Sequence, residues 1–245
     1  MIEVLVIVVA IALGSFIKGV TGSGLPQVAI PVMASFFGIE RAVVIMVVPG
    51  IVSNAWMLWT LRGSLRRSRD LPTLFVVGGV GVVAGTWLLK NLDPTILAFA
   101  LAAVVGLYVV MFLSRSQVRL PAGLTRWTSP PVGLVAGVLQ GATGMSGPLV
   151  QTYLHAYRLD KQAFVVSTVA LYGLFAVVQA AAVAGLDLYT PARLWEGLLA
   201  LIPMAVMLPV GARVARHLSQ HVFDRWVLVV LVVSTAKVLY DAVVG

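Results

Sequence analysis

The sequence predicts an all-α integral membrane protein: two inverted-topology repeats of five helical segments each, with the first two segments of each repeat short or re-entrant. Three observations predict it. Sixty per cent of the 245 residues are hydrophobic, against 17 basic and 9 acidic side chains, where a soluble domain carries about a quarter charged residues. The apolar residues gather in stretches of roughly 18 to 24, close to the ~20 helical residues that cross a hydrocarbon core. A Gly- and Pro-bearing interruption occurs twice, at corresponding places in the two halves of the chain.

The first repeat, residues 1–113, contains apolar segments from Ile2 to Ile17, Leu25 to Phe37, Ala42 to Leu61, Leu71 to Leu89 and Pro94 to Leu113. A basic, proline-containing stretch, residues 114–129, reads as a cytoplasmic connector. The second repeat, residues 130–245, continues from Pro130 to Leu139, Pro148 to Tyr157, Ala163 to Ala184, Leu194 to Gly211 and Val222 to Tyr240. In each half two short or Gly/Pro-interrupted segments precede three full spans, the pattern of internal repeats with broken helices. The opening MIEVLVIVVAIALGSF lacks a basic n-region and carries Glu3, so the first span is expected to stay in the mature protein.

Direct alignment supports a duplication. GVTGSGLP, Gly19 to Pro26, matches GATGMSGP, Gly141 to Pro148, at an offset of 122 residues. Gly85 and Leu92 match Gly211 and Leu218 at an offset of 126, which a short insertion around GLDLYTP accounts for. Five segments being an odd number, the second half enters the bilayer from the opposite face. Charge tests this. One face collects Arg62, Arg66, Arg67, Arg69, Arg115, Arg119, Arg126, Arg158, Lys161, Arg213, Arg216 and Arg225, the other only Arg41, Lys90, Arg193 and Lys237. The basic-rich face is expected in the cytoplasm. Both termini of this multi-pass cell-membrane protein are then extracytoplasmic.

Lipid offers no hydrogen bonds, so an interruption at membrane depth persists only where protein or a water-filled cavity satisfies the backbone. Each break is followed by a helix that begins inside the membrane, with unpaired amides and the positive end of its dipole at the break. Two such ends approaching from opposite sides form a cage suited to a small oxyanion. The expected binding residues are Lys18, Gly19, Thr21, Gly22, Ser23 and Gly24 in the first break, and Gln140, Gly141, Thr143, Gly144, Met145, Ser146 and Gly147 in the second. Lys18 is the one cation placed at depth, where charges usually mark a pathway; the competing reading has it snorkel to the headgroups. Gln140 holds the corresponding place in the second half, so the site is not strictly symmetric.

Other polar residues in or near spans are Gln27, Asn54, Gln151, His155, Ser167, Thr168, Gln179, Glu196 and Lys237. Asn54 and Gln179 are the sharpest, open to interhelical bonding or ligand contact alike. His155 reads as interfacial and Glu196 as solvated near a span's start. Gly78, Gly79, Gly81 and Gly85 read as helix-packing glycines.

The doubled motif, KGVTGSGLP and QGATGMSGP within a chain of this length and hydrophobicity, resembles the TauE/SafE family of sulfite-exporter-like permeases, over nearly the whole sequence. The resemblance implies a membrane carrier for sulfite, sulfonates or other small sulfur-containing or organic anions. It agrees with the oxyanion cage and leaves the choice of anion open.

A secondary carrier working by alternating exposure is therefore the leading expectation, with an anion channel as the alternative and a membrane-embedded lipid-modifying enzyme as a weaker third reading. The expected partners are the small anion and the lipid bilayer. The net charge of +8 lies in short connections without a basic stripe bearing aromatics, so nucleic acid is not an expected partner. No P-loop pattern is present to drive transport with ATP. With no cysteine, no HExxH and no Asp-rich motif, and with His155, His217 and His221 forming no familiar ligand set, neither a metal site, a cofactor nor an enzyme activity is expected. A metal-cation carrier would need carbonyl and hydroxyl ligands, the weaker electrostatic match.

Overall fold

The computed structural model describes residues 2–61, 71–114, 122–156, 159, 161–214 and 220–244. The described chain is all α-helical and multi-spanning. Its helices are α1 (Ile2–Thr21), α2 (Leu25–Phe37), α3 (Ile39–Thr60), α4 (Leu71–Asn91), α5 (Pro94–Ser114), α6 (Ala122–Thr143), α7 (Gly147–Ala156), α8 (Lys161–Gly185), α9 (Pro191–Leu199), α10 (Leu201–Val214) and α11 (Gln220–Val244). Among the described residues, five stretches are long and apolar enough to cross a membrane: α1, α3, α4, the Ala163–Gly185 part of α8, and α9 with α10 taken together.

Local chemistry sets the helix ends. Asp93 accepts the Thr95 amide at 2.8 Å in front of Pro94, and Thr190 accepts the Arg193 amide at 3.2 Å in front of Pro191. Both combine a side-chain cap with proline in the first turn, where its missing N–H costs nothing. Two boundaries differ from the sequence expectation. α6 starts at Ala122, so much of the expected connector is helical. The span expected from Leu194 to Gly211 is divided at Ala200 into α9 and α10, because Pro203 lacks the N–H that would bond the Leu199 carbonyl.

Polar contacts tie many helix ends to one end of the bundle. Arg41 at the start of α3 pairs with Glu3 of α1 at 2.8 Å and with Glu196 of α9 at 2.5 Å, while Arg193 of α9 pairs with Glu40 at 2.7 Å. Glu196 is therefore ion-paired and only 13% exposed at its side chain, rather than solvated as expected. Lys90 near the end of α4 donates to the Leu186 carbonyl at 2.7 Å, and Lys237 of α11 donates to that of Ser35 in α2. Because Glu3 opens α1 and Arg41 follows the end of α2, α1 and α2 enter the bundle and return to the same end. They form a helical hairpin. α6 and α7 form another: Tyr153 of α7 bonds Thr128 and Ser129 of α6 at 3.0 and 2.7 Å.

The second hairpin lies against α4. A Cβ on Gly133 would fall 3.4 Å from Leu74, and one on Gly141 would fall 2.7 Å from the Gly85 carbonyl carbon. α6 thus runs from the start of α4 towards its Lys90 end. The largest buried cluster joins Ile7 and Ile11 of α1, Val28 and Ile30 of α2, Val43 and Ile45 of α3 and Leu101 of α5, and it includes Met145 of the second break. Of the twelve basic residues placed on the expected cytoplasmic face, Arg62, Arg66, Arg67, Arg69, Arg115, Arg119, Arg158 and Arg216 lie outside the described residues, as does His217; the side chains of Arg126, Lys161, Arg225 and His221 do too.

Candidate functional site

The two breaks share one hydrogen-bonding scheme. Gly22 donates to the Lys18 carbonyl and Gly144 to that of Gln140, both at 2.8 Å. Thr21 Oγ1 lies 3.0 Å from the Ile17 carbonyl and 2.5 Å from that of Ser23, and accepts the Ser23 amide at 3.3 Å. Thr143 Oγ1 repeats this with Leu139 at 2.7 Å, Met145 at 3.4 Å and the Met145 amide at 3.3 Å. Gly22 has φ +83° and Gly144 φ +69°, a region that glycine enters without the Cβ penalty. Gly24 is also left-handed, at φ +106°. The glycine turns the chain and the threonine hydroxyl closes the turn.

α2 and α7 then pass each other antiparallel. Gln151 Nε2 donates to Ser23 Oγ at 2.6 Å; a Cβ on Gly147 would fall 3.0 Å from Gln27 Cδ, and one on Gly144 would meet the Ile30 side chain. As the chain advances from Ser23 to Ile30, its neighbours retreat from Gln151 to Gly144. The two helix starts lie side by side and face opposite ends of the bundle.

Beside this crossing is a cavity of about 40 Å³, by a measure in which one water needs roughly 10–15 Å³. It has room for an anion of a few heavy atoms and none for a lipid chain. Both breaks contribute, with Ser23, Gly24 and Gln27 from one, and Gly144, Ser146 and Gly147 from the other. Lys18 is the only charged residue among the described lining residues, and it is 3% exposed. Its Nζ donates to Ser53 Oγ at 3.0 Å and Asn54 Oδ1 at 2.5 Å, both neutral. An ammonium has three N–H groups, and the third has no acceptor among the described residues. On the other side, Gln140 Nε2 donates to Gln179 Oε1 at 3.2 Å, and Ser146 donates to Gln140 Oε1 at 2.9 Å. Gln179 Nε2 in turn donates to the Gln140 and Gly141 carbonyls at 3.1 and 3.3 Å.

Residues 6–238 match the family model described as sulfite exporter TauE/SafE. The chain belongs to that family. It is accordingly a TauE-type membrane transporter of the sulfite and small-anion class, since the family's proteins are transporters and not enzymes. No significant match was found among curated proteins or solved structures.

In this TauE/SafE member, seven of the thirteen residues expected at the site line the cavity: Lys18, Ser23, Gly24, Gln140, Gly144, Ser146 and Gly147. The other six lie elsewhere. Gly19 packs on the α10 backbone, where its Cβ would fall 2.9 Å from Gly211 Cα, and Gly141 packs on α4. Thr21 and Thr143 are bonded within the breaks. Gly22 makes the turn, and Met145 is buried in the apolar cluster.

Five further residues line the cavity outside the expected binding set: Gln27, Ser53, Asn54, Tyr172 and Gln179, of which the sequence leaves Asn54 and Gln179 open to ligand contact or interhelical bonding alike. Gln27, Asn54 and Gln179 carried a signal, as amides inside apolar spans. Gln27 is 4% exposed and makes no hydrogen bond through its side chain among the described residues. Ser53 adjoins Asn54, and Tyr172, whose hydroxyl bonds the Gly147 carbonyl at 3.3 Å, carried no distinguishing signal.

Proposed function

We propose that this protein is a secondary carrier for sulfite, a sulfonate or a related small carboxylate, bound in the cavity beside the crossed helix starts. The observation that supports this most directly is Lys18: a buried cation facing the cavity with neutral partners and one N–H unspent. A buried charge is stable only when paired or well bonded, and an anion supplies the missing partner. The helix starts of α2 and α7 add amide donors of the same polarity.

We further infer that residues 1–113 and 130–245 are inverted repeats, with both termini extracytoplasmic. Three pairings support this: Gly19 with Gly211 answers Gly141 with Gly85, the two breaks share their hydrogen bonds, and Lys18 with Asn54 answers Gln140 with Gln179. Rocking of one repeat against the other would expose the cavity to each side in turn. A cavity with room for only a few heavy atoms favours such a carrier over a wide pore.

The test is uptake and counterflow in proteoliposomes. Labelled sulfite is expected to enter faster when unlabelled sulfite is present inside, which a channel does not produce. Lys18→Ala is expected to weaken sulfite affinity at least tenfold, while the protein still purifies as a folded species. Unchanged affinity in that variant would remove the cavity from consideration as the binding site.

A further inference from the structure

The site's two halves are alike in backbone and unlike in charge. Lys18 brings to the cavity an amine that can carry one positive charge, and Gln140, in the equivalent place, brings a neutral amide. The Gln140 amide is also spent, donating to Gln179 and accepting from Ser146. The supply of other donors is short. Pro26 and Pro148 lack an N–H in the first turns of α2 and α7. The Thr21 and Thr143 hydroxyls, with the Ser23 and Met145 amides, are consumed inside the breaks.

Beside the amides of the helix starts, the side-chain donors that line the cavity without an acceptor among the described residues are the third N–H of Lys18, the Ser23 hydroxyl and the Gln27 and Asn54 amides. The Ser23 oxygen already accepts from Gln151. Gln27 presents an acceptor oxygen as well as a donor nitrogen, and that oxygen suits an anion that still carries a hydroxyl better than one stripped of protons.

We propose that the cavity takes a singly charged oxyanion, and that residue 140 sets this limit on charge. This rests on the cavity being the anion site. One buried cation balances one negative charge. A second negative charge is left with dipoles alone, the partial charges of two helix starts, each short of one amide and set to face opposite ends of the bundle. Burying an unbalanced charge is costly. A lysine at position 140 would stand to Gln179 as Lys18 stands to Asn54, with an amide oxygen ready to accept from it. It would give the site its second cation.

Purified protein is titrated with methanesulfonate, which is singly charged, and with sulfate, which is doubly charged, at constant ionic strength. Binding is read as the ligand-dependent rise in melting temperature. The wild type is expected to bind methanesulfonate at least tenfold more tightly than sulfate, and Gln140→Lys to reduce that ratio at least tenfold. Gln179→Lys serves as a second variant if Gln140→Lys does not purify as a folded species. Equal or tighter sulfate binding by the wild type, no binding of methanesulfonate, or an unchanged ratio in the lysine variant overturns the proposal. Lys18→Gln separates the two levels of inference. If it binds both anions as the wild type does, the cavity is not the anion site. If it loses both while the wild type holds them equally, the cavity stands and only the limit on charge falls.

Discussion

At the first break Lys18 reaches Ser53 and Asn54 of α3, and at the second Gln140 reaches Gln179 of α8. The turns beneath them are nearly superposable in their bonding: a glycine amide to the carbonyl four residues back, and a threonine oxygen between two carbonyls and one amide. The comparison separates two jobs that one short motif performs. Thr-Gly builds the interruption, and the residue three positions before the threonine sets whether an amine or an amide stands beside it.

The packing glycines break or sharpen this comparison most severely. A Cβ on Gly19 would fall 2.8 Å from the Ala212 amide nitrogen, and one on Gly141 2.7 Å from the Gly85 carbonyl carbon. In both cases the obstacle is backbone, which cannot swing aside as a side-chain tip can. Gly19→Leu and Gly141→Leu are both expected to destabilise by ~3 kcal/mol or more, at the upper end of overpacking. The check is the yield of monodisperse protein and its melting temperature. Tolerance of one leucine and not the other would show that the two contacts are not equivalent.

The turn glycines come next. Gly22→Val and Gly144→Val both force a β-branched residue into positive φ, and both are expected to abolish uptake. They differ in space: around Gly22 the nearest atoms stand 3.7 and 3.9 Å away, whereas a Cβ on Gly144 would run into Ile30 and stand 3.4 Å from Val43. Gly144→Val is therefore expected to lose about 1–3 kcal/mol more stability than Gly22→Val, read from paired denaturation curves. Wild-type uptake by either variant would show that the turn is not required for transport.

These differences also mark what the sequence could reveal. The breaks were legible because Gly, Thr and Pro recur at matching offsets, and the helices because lipid demands long apolar runs. Gly19 and Gly141 are expected at the binding site, as glycines that let the breaks turn and approach a ligand closely, and Gly85 as a packing glycine. The fold makes Gly141 and Gly85 two sides of one contact. Pairing of that kind depends on which helices become neighbours, and a linear pattern does not encode it. Lys18, Gln140 and Ser146 were legible as polar groups beside a break, and Asn54 and Gln179 as polar groups in apolar spans. That they bond to one another required the hairpins to be packed against α3 and α8. Tyr172 offered nothing to read, since an aromatic in a span is ordinary there.

The smallest effect belongs to the threonines. Thr21→Val and Thr143→Val keep the side-chain shape and remove the hydroxyl that closes each turn. Each loses a hydrogen bond worth about 1 kcal/mol net, and each leaves an amide, of Ser23 or Met145, without its acceptor. The cost of that orphaned amide depends on its access to water. Thr143 is 0% exposed and Met145 1%, whereas Thr21 and Ser23 are only partly buried. Thr143→Val is therefore expected to lower stability by about 1–3 kcal/mol and Thr21→Val by about 1 kcal/mol or less. Chemical denaturation of both variants in the same detergent gives the comparison. Equal losses would mean that water reaches both turns alike, and that the second break is as wet as the first.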